Sequence, residues 1–402
     1  MRALEPFRSR NFTLYFGSQV LSNTGTWFQN LALALMLLSL TGRAQVLGYV
    51  TAAQFLPLLF LSIPAGWLAD RFRPQPILVV TMAASAGVVT GIAFAVRAPE
   101  PHLPSIYGLV MLLGVFHTFE RIAGQAFIFE IVGGEGLSRA VSVSTIAMAA
   151  ARTVGPGLAG LAYDQFGAFW ALMINAVSFI VGLTLVVSIN RATLLSRTSA
   201  DRPGHRDASP PRPRLSLVRT PTVPTLLAVN VVVALLSLNL MLILTSMAAM
   251  TFGATPSQVG MVHALNAVGS VLGGLYAASR LAVPVSALAP ACLVLGVFLL
   301  AASASPSLAV FLAVGPVLGF GVGYYFGVLH AASQKAVPPR SIGRMMSLIT
   351  LGSYGVAPLG ALLMGWVIDE ISPRAPLTIG GVAAVGCAVG VWIYVGRTTS
   401  AR

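Results

Sequence analysis

The chain has 402 residues, 56% of them hydrophobic and only 9% charged, and its 24 Lys and Arg against 11 Asp and Glu give a net charge of +13. A soluble domain carries about 25% charged residues, so a water-soluble enzyme or binding module is excluded. The apolar residues come in blocks of about 20, the length of a membrane-spanning helix, and their continuous rather than alternating apolarity excludes a membrane β-barrel.

In chain order, twelve helical spans are predicted at 14–40, 46–69, 76–96, 105–129, 138–163, 169–189, 224–250, 259–278, 285–304, 308–333, 341–368 and 377–395. The first apolar block is too long for the core of a signal peptide and reads as an uncleaved span. Of the 24 basic residues, 19 fall at the two termini and in the even-numbered connections. The odd-numbered connections hold only Arg43, Arg97 and Arg374, while Arg121 and Arg152 lie inside spans. The positive-inside rule then places both termini in the cytoplasm of a multi-pass inner-membrane protein. The basic balance is a topology signal, so no nucleic-acid partner is expected. Residues 191–220, rich in Arg, Pro, Ser and Asp, read as a cytoplasmic linker between a six-span bundle at 1–190 and another at 221–402. The linker arginines are suited to anionic lipid.

The halves echo each other. "SRAVSVST" at 138–145 precedes "VGPGLAGLAYD" at 154–164, and "GRMMSLIT" at 343–350 precedes "VAPLGALLMGWVID" at 356–369. Each pair has an Arg, a Ser three residues on, a Thr three later, a Pro inside the span and an Asp at its far end. Gln125 and Gln334 sit comparably at the ends of the preceding spans. A 6+6 duplication makes the fifth and eleventh spans equivalent and is the mark of a transporter with its substrate path between the halves. Gly315, Gly319, Gly323, Gly327 and Ala331 form a smooth stripe on the tenth span, suited to close helix packing.

"GWLADRFRP" at 66–74 resembles the cytoplasmic signature G-x-L-a-D-r-x-G-r of the major facilitator superfamily; Gly66, Leu68, Ala69, Asp70 and Arg71 match, while Arg73 and Pro74 replace its second Gly and next basic residue. "ARTVGPGLAG" at 151–160 is similar to the superfamily's fifth-helix motif of antiporter-type exporters. Three longer stretches, at 7–33, 150–180 and 343–369, resemble the enterobactin-exporter branch, also called transmembrane secretion effectors. The resemblance implies an all-α membrane protein of twelve helices in two pseudo-symmetric six-helix bundles, working by alternating access. It implies that Asp70, with Arg71 and Arg73 beside it, gates the cytoplasmic side against the start of the eleventh helix near Ser341; topology anchoring is the plain alternative. It also implies that Gly155, Pro156, Gly157 and Gly160 shape an outward gate, which is compatible with a packing kink. The second half has "GGLYAASR" at 273–280 without an Asp.

An ionisable residue inside a membrane is a functional candidate by default. Glu120 and Arg121 point about 100° apart on a helix, and His117 is one turn from both. Pairing of Glu120 with Arg121 or with Arg152 is predicted. Three readings stay open: a neutralised strut, a proton-coupling device centred on Glu120, or direct binding of a charged substrate. Gln19, Asn23, Trp27, Asn230, Asn239, His263, Tyr324, Tyr325 and His330 are candidates to line a central cavity, several of them on the first, fourth, seventh and tenth spans that line it in the superfamily. No phosphate loop, metal-ligand spacing or clustered nucleophile is present. The expected activity is thus not enzymatic: proton-coupled export of a small amphipathic molecule, such as a siderophore, antibiotic or other secondary metabolite, by a monomer in a lipid bilayer without cofactor or metal. Proton-coupled uptake and a non-transporting receptor are the alternatives.

Overall fold

The computed structural model describes residues 2–195, 222–280, 284–338 and 341–400. Most of the expected linker, together with Arg340 and Arg402 of the charge count, lies outside the described residues. Among the described residues the chain is almost wholly helical, with no strand. After a short 3-10 turn at Arg2–Arg8 come α1 (Arg10–Thr41), α2 (Gln45–Arg71) and α3 (Pro74–Arg97). Leu103–Val187 then runs as helix with only two interruptions, giving α4 (103–132), α5 (134–166) and α6 (168–187). The second half holds α7 (Thr222–Thr251), α8 (Pro256–Ala278), α9 (Val285–Ser303), α10 (Leu308–Lys335), α11 (Ile342–Glu370) and α12 (Ala375–Ser400).

The loops predicted on either side of α5 are reduced to single residues. Gly133 and Gly167 have φ of 70° and 76° with ψ near 180°, a conformation open essentially to glycine alone, so each breaks the helix in one step. Two predicted spans are instead internally broken. The α7 helix stops at Leu236 and resumes at Leu240, then ends in a π turn at Met247–Thr251. In α11 the helix stops at Tyr354 and resumes at Ala357, where Pro358 has no N–H to give and crowds the carbonyl four residues back.

Among the described residues, ten helical stretches are long and apolar enough to cross a membrane, one of them the 49-residue Arg139–Val187 that contains the Gly167 break. The 32-residue α1 has the length but is diluted by Asn11, Gln19, Asn23, Gln29 and Asn30. Large apolar side chains face outward, with Phe60 71%, Ile63 82% and Trp392 75% exposed; such surface belongs in lipid.

By contacts the chain forms two compact units. The first takes in the chain up to Leu33 and from Ala53 through α6; the second takes Ala34–Ala52 and the described residues from Thr222 onward. In the first, Phe12, Tyr15, Leu78, Met82, Ala123 and Phe127 form a buried cluster, with the Tyr15 and Phe127 rings edge to face at 5.3 Å. In the second, α8 and α10 lie backbone against backbone. A β-carbon on Gly269 or Gly273 would strike the carbonyl oxygen of Pro316 or Phe320, and one on Gly319 or Gly323 that of Asn266 or Ser270. The small-residue stripe is therefore a packing surface.

Candidate functional site

The polar residues of α1 face two ways. Toward α2 and α6 they are spent on packing: Asn175 Nδ2 donates to Gln29 Oε1 at 2.5 Å, and Gln54 Nε2 to Asn30 Oδ1 at 3.2 Å. Toward α4 they meet the ionisable pair that the sequence singled out. Tyr15 donates its hydroxyl to the Gly124 carbonyl at 2.9 Å, and Ser22 donates to Glu120 Oε1 at 3.1 Å. Glu120 is only 9% exposed. Its Oε2, together with Nε2 of His117 and of Gln19, is buried with no hydrogen-bond partner among the described residues. The His117 ring lies 5.9 Å from that of Phe179 on α6. Asn23 Nδ2 donates to the Gln19 carbonyl at 2.7 Å. Buried polar atoms are normally paired, so three unpaired ones on α1 and α4 mark this face as the candidate site.

The two predicted partners of Glu120 are both exposed. The Arg121 charge still bears on Glu120 and on His117. Arg152 is exposed too, and its guanidinium stands 4.8 Å from the centre of the Trp27 ring. The arginine is held by a cation–π contact between α5 and α1. One turn further along α5, a β-carbon on Gly155 would meet the Thr24 carbonyl at 2.8 Å and Trp27 Cβ at 2.8 Å. Pro156 is buried beside it and Gly160 one turn on, while Gly157 is half-buried. Along this stretch the fifth-helix motif presses on α1.

In the second unit most of the candidate cavity residues have structural partners. Asn230 is fully buried and donates to the Ile349 carbonyl at 2.8 Å, while accepting from Ser353 Oγ at 2.9 Å. It ties α7 to α11. Asn239 sits at the α7 break, its amide nitrogen 3.4 Å from the Leu235 carbonyl. His263 shares a hydrogen bond with Thr245 at 2.9 Å. Tyr324 packs on Tyr276 at 5.3 Å and Phe320 at 6.1 Å. His330 is exposed and bonds through Nδ1 to its own helix at the Phe326 carbonyl. Tyr325 is fully buried, and its hydroxyl has no partner among the described residues. At the signature segment Asp70 is exposed, Arg71 stands 5.4 Å from the Trp67 ring centre, and Arg73 directly precedes α3. A β-carbon on Gly66 would meet nothing within 4 Å.

These are polar groups buried in packed helices, most of them tied to a neighbouring helix. The family described as transmembrane secretion effector matches residues 1–400. The chain belongs to this family of major facilitator transporters. The transporter is 23% identical to the enterobactin exporter EntS of Salmonella typhimurium over 81% of its own length and 78% of that protein's. It is 24% identical to the multidrug efflux pump Tap of Mycobacterium tuberculosis over 94% and 93%. Its 23% identity to the staphyloferrin A transporter of Staphylococcus aureus spans 44% of this chain and 45% of that protein, less than half of each. Among solved structures, the nucleoside transporter NupG superposes with a TM-score of 0.71 at 12% identity, covering 96% of this chain and 98% of the other. That likeness shows the fold. The transporter is a multi-pass membrane protein for small-molecule cargo and not an enzyme.

One residue that matters escaped the sequence reading except as the end of a repeat. Asp369, near the end of α11, accepts hydrogen bonds from the backbone N–H groups of Ala44 and Gln45 at 2.7 and 2.9 Å. The available signal was a helix start, "TGRAQV" at 41–46, with no Ser, Thr, Asp or Asn directly before Gln45 to cap it.

Proposed function

We propose that this transporter exports a small amphipathic molecule across the cytoplasmic membrane of a bacterium, by alternating access and in exchange for protons. The siderophore and drug names of its relatives support that cargo class, and the words exporter and efflux support the direction. Both termini face the cytoplasm in this reading, and the working unit is a monomer. The placing of 19 of the 24 Lys and Arg at the termini and even-numbered connections supports that orientation.

One observation carries the coupling: Glu120 is buried with one oxygen held by Ser22 and the other without a partner among the described residues. An ionised carboxylate in a membrane interior is costly. A group that takes up a proton when shielded and gives it up when exposed ties proton movement to the conformational cycle. Asp70 gates the cytoplasmic side in this reading, as the family signature implies.

The test is energy-dependent efflux of siderophores, dyes and antibiotics from an efflux-deficient bacterium, with parent and Glu120→Gln at equal membrane abundance. Loss of proton-driven efflux with cargo binding retained is the expected result. Undiminished efflux in Glu120→Gln overturns the assignment of Glu120. Stoichiometric binding without efflux by the parent would make the protein a receptor.

A further inference from the structure

We infer that Asp369 is a releasable cap on α2, the latch that closes the transporter on the side opposite its cytoplasmic signature. The first N–H groups of a helix need acceptors, and they usually find one in a Ser, Thr, Asp or Asn side chain directly before the helix. The chain reaches α2 through Gly42, Arg43 and Ala44, which offer none. The acceptor comes instead from 325 residues further along the chain, with Asp369 Oδ1 taking the Ala44 N–H and Oδ2 the Gln45 N–H. The carboxylate faces the positive end of the helix dipole, and Arg43 Nε stands 3.7 Å from Oδ2. The Asp369 side chain is only 7% exposed while Arg43 is 60% exposed, so the cap is shielded and the arginine is its lid toward water.

The flanking surfaces are shaped for the same contact. A β-carbon on Gly48 would meet the Ala361 carbonyl oxygen at 2.7 Å, and one on Gly365 would meet Gln45 Cα at 2.9 Å. Ala44 is fully buried. Only glycine at both positions lets the start of α2 lie this close to α11. The contact is also divided in a telling way. Most of α1 and α2 belongs to the first compact unit, but Ala34–Ala52, the end of α1 and the start of α2, belongs with α11 in the second. A motion that returns Ala34–Ala52 to its own helices has to peel it from α11. The polar bonds it breaks are those of Asp369.

Chemistry makes the contact reversible. Two charge-assisted hydrogen bonds to backbone are individually strong, but water replaces them when the helix end is exposed, so their net contribution is modest. A covalent or wholly apolar seal has no such exchange partner. The family signature implies the reciprocal arrangement at the cytoplasmic end, where Asp70 ends α2 and faces the start of α11.

This inference rests on the alternating-access reading, but its test needs neither cargo nor protons, so its failure is distinguishable from failure of the coupling proposal. The probe is a membrane-impermeant maleimide on the full chain in nanodiscs, where both faces are reachable. Cys387 is replaced by Ala, and Ala44→Cys supplies a thiol at the latch while keeping the backbone N–H. Native Cys292, fully buried in the same unit, reports on folding, with labelling sites told apart by mass spectrometry. Asp369→Asn is expected to raise the labelling rate at position 44 about tenfold while Cys292 stays protected. Equal rates in parent and Asp369→Asn overturn the inference. Rates that rise together at both thiols overturn it as well, because Asp369 would then hold the fold rather than a gate.

Discussion

The fourth and tenth helices hold the same place in the two halves of the repeat, and they have been put to different uses. The α4 helix buries the Glu120 carboxylate and half-buries the His117 imidazole, each with an atom lacking a partner among the described residues. The α10 helix has no charged residue in its buried set, although its Tyr325 and Ser333 hydroxyls also lack a partner among the described residues, and it spends Gly319 and Gly323 on touching the backbone of α8. A duplicated framework thus carries different contents: α4 gives the first unit a buried carboxylate, and α10 gives the second a glycine seam. The seam leaves no room for an added side chain, whereas the polar face should respond to loss of its polar groups.

The harshest way to probe this contrast is to add bulk to each helix. Gly319→Leu places a side chain on the Asn266 carbonyl, and overpacking of this kind costs about 3 kcal/mol or more. Little monodisperse protein should survive detergent extraction. Gly108→Leu on α4, where a β-carbon meets nothing within 4 Å, should extract like the parent. Equal losses would mean that the two helices are equally constrained.

Next in size is the change of charge. Glu120→Gln retains an acceptor for Ser22, so the thermal midpoint should stay near that of the parent while proton-driven efflux falls at least about tenfold, equivalent to about 1.4 kcal/mol. A matched fall in thermal stability would move Glu120 to the structural side of the comparison.

Smaller effects should separate polar residues of similar appearance. Asn230→Ala removes both bonds between α7 and α11, and should cost about 1–3 kcal/mol of stability while leaving efflux per folded molecule unchanged. Gln19→Ala should do the reverse, lowering efflux a few-fold with little change in thermal midpoint. Smallest of all, Arg152→Gln forfeits a cation–π contact with Trp27 worth about 0.5–1 kcal/mol, and efflux should stay within about twofold of the parent. If Arg152→Gln instead uncoupled transport as fully as Glu120→Gln, the predicted pairing of those two charges would be restored.

Much of the fold was legible because its cause is local. A run of about 20 apolar residues has to cross a membrane as a helix, and "GWLADR" and "ARTVGPGLAG" pointed to the family from a few adjacent residues. The glycine stripe of α10 was readable for the same reason, since its four-residue period is a property of one helix. Even the failures at the two ends of α5 were local, because Gly133 and Gly167 turned out to do the work expected of whole loops.

The candidate site was only half legible. Hydropathy marks Glu120, Asn230, Arg152 and Asp369 alike as polar residues in or near apolar helices, but it cannot assign their partners. Those partners lie on other helices: Ser22 98 residues away, Ile349 119 residues away and Ala44 325 residues away. Length, apolarity and charge asymmetry, summed along the chain, determined that this is a polytopic membrane protein. Only the tertiary structure decided which buried polar groups are ties and which lack a partner, because a hydrogen bond depends on direction and distance in space, and neither is encoded in spacing along one helix.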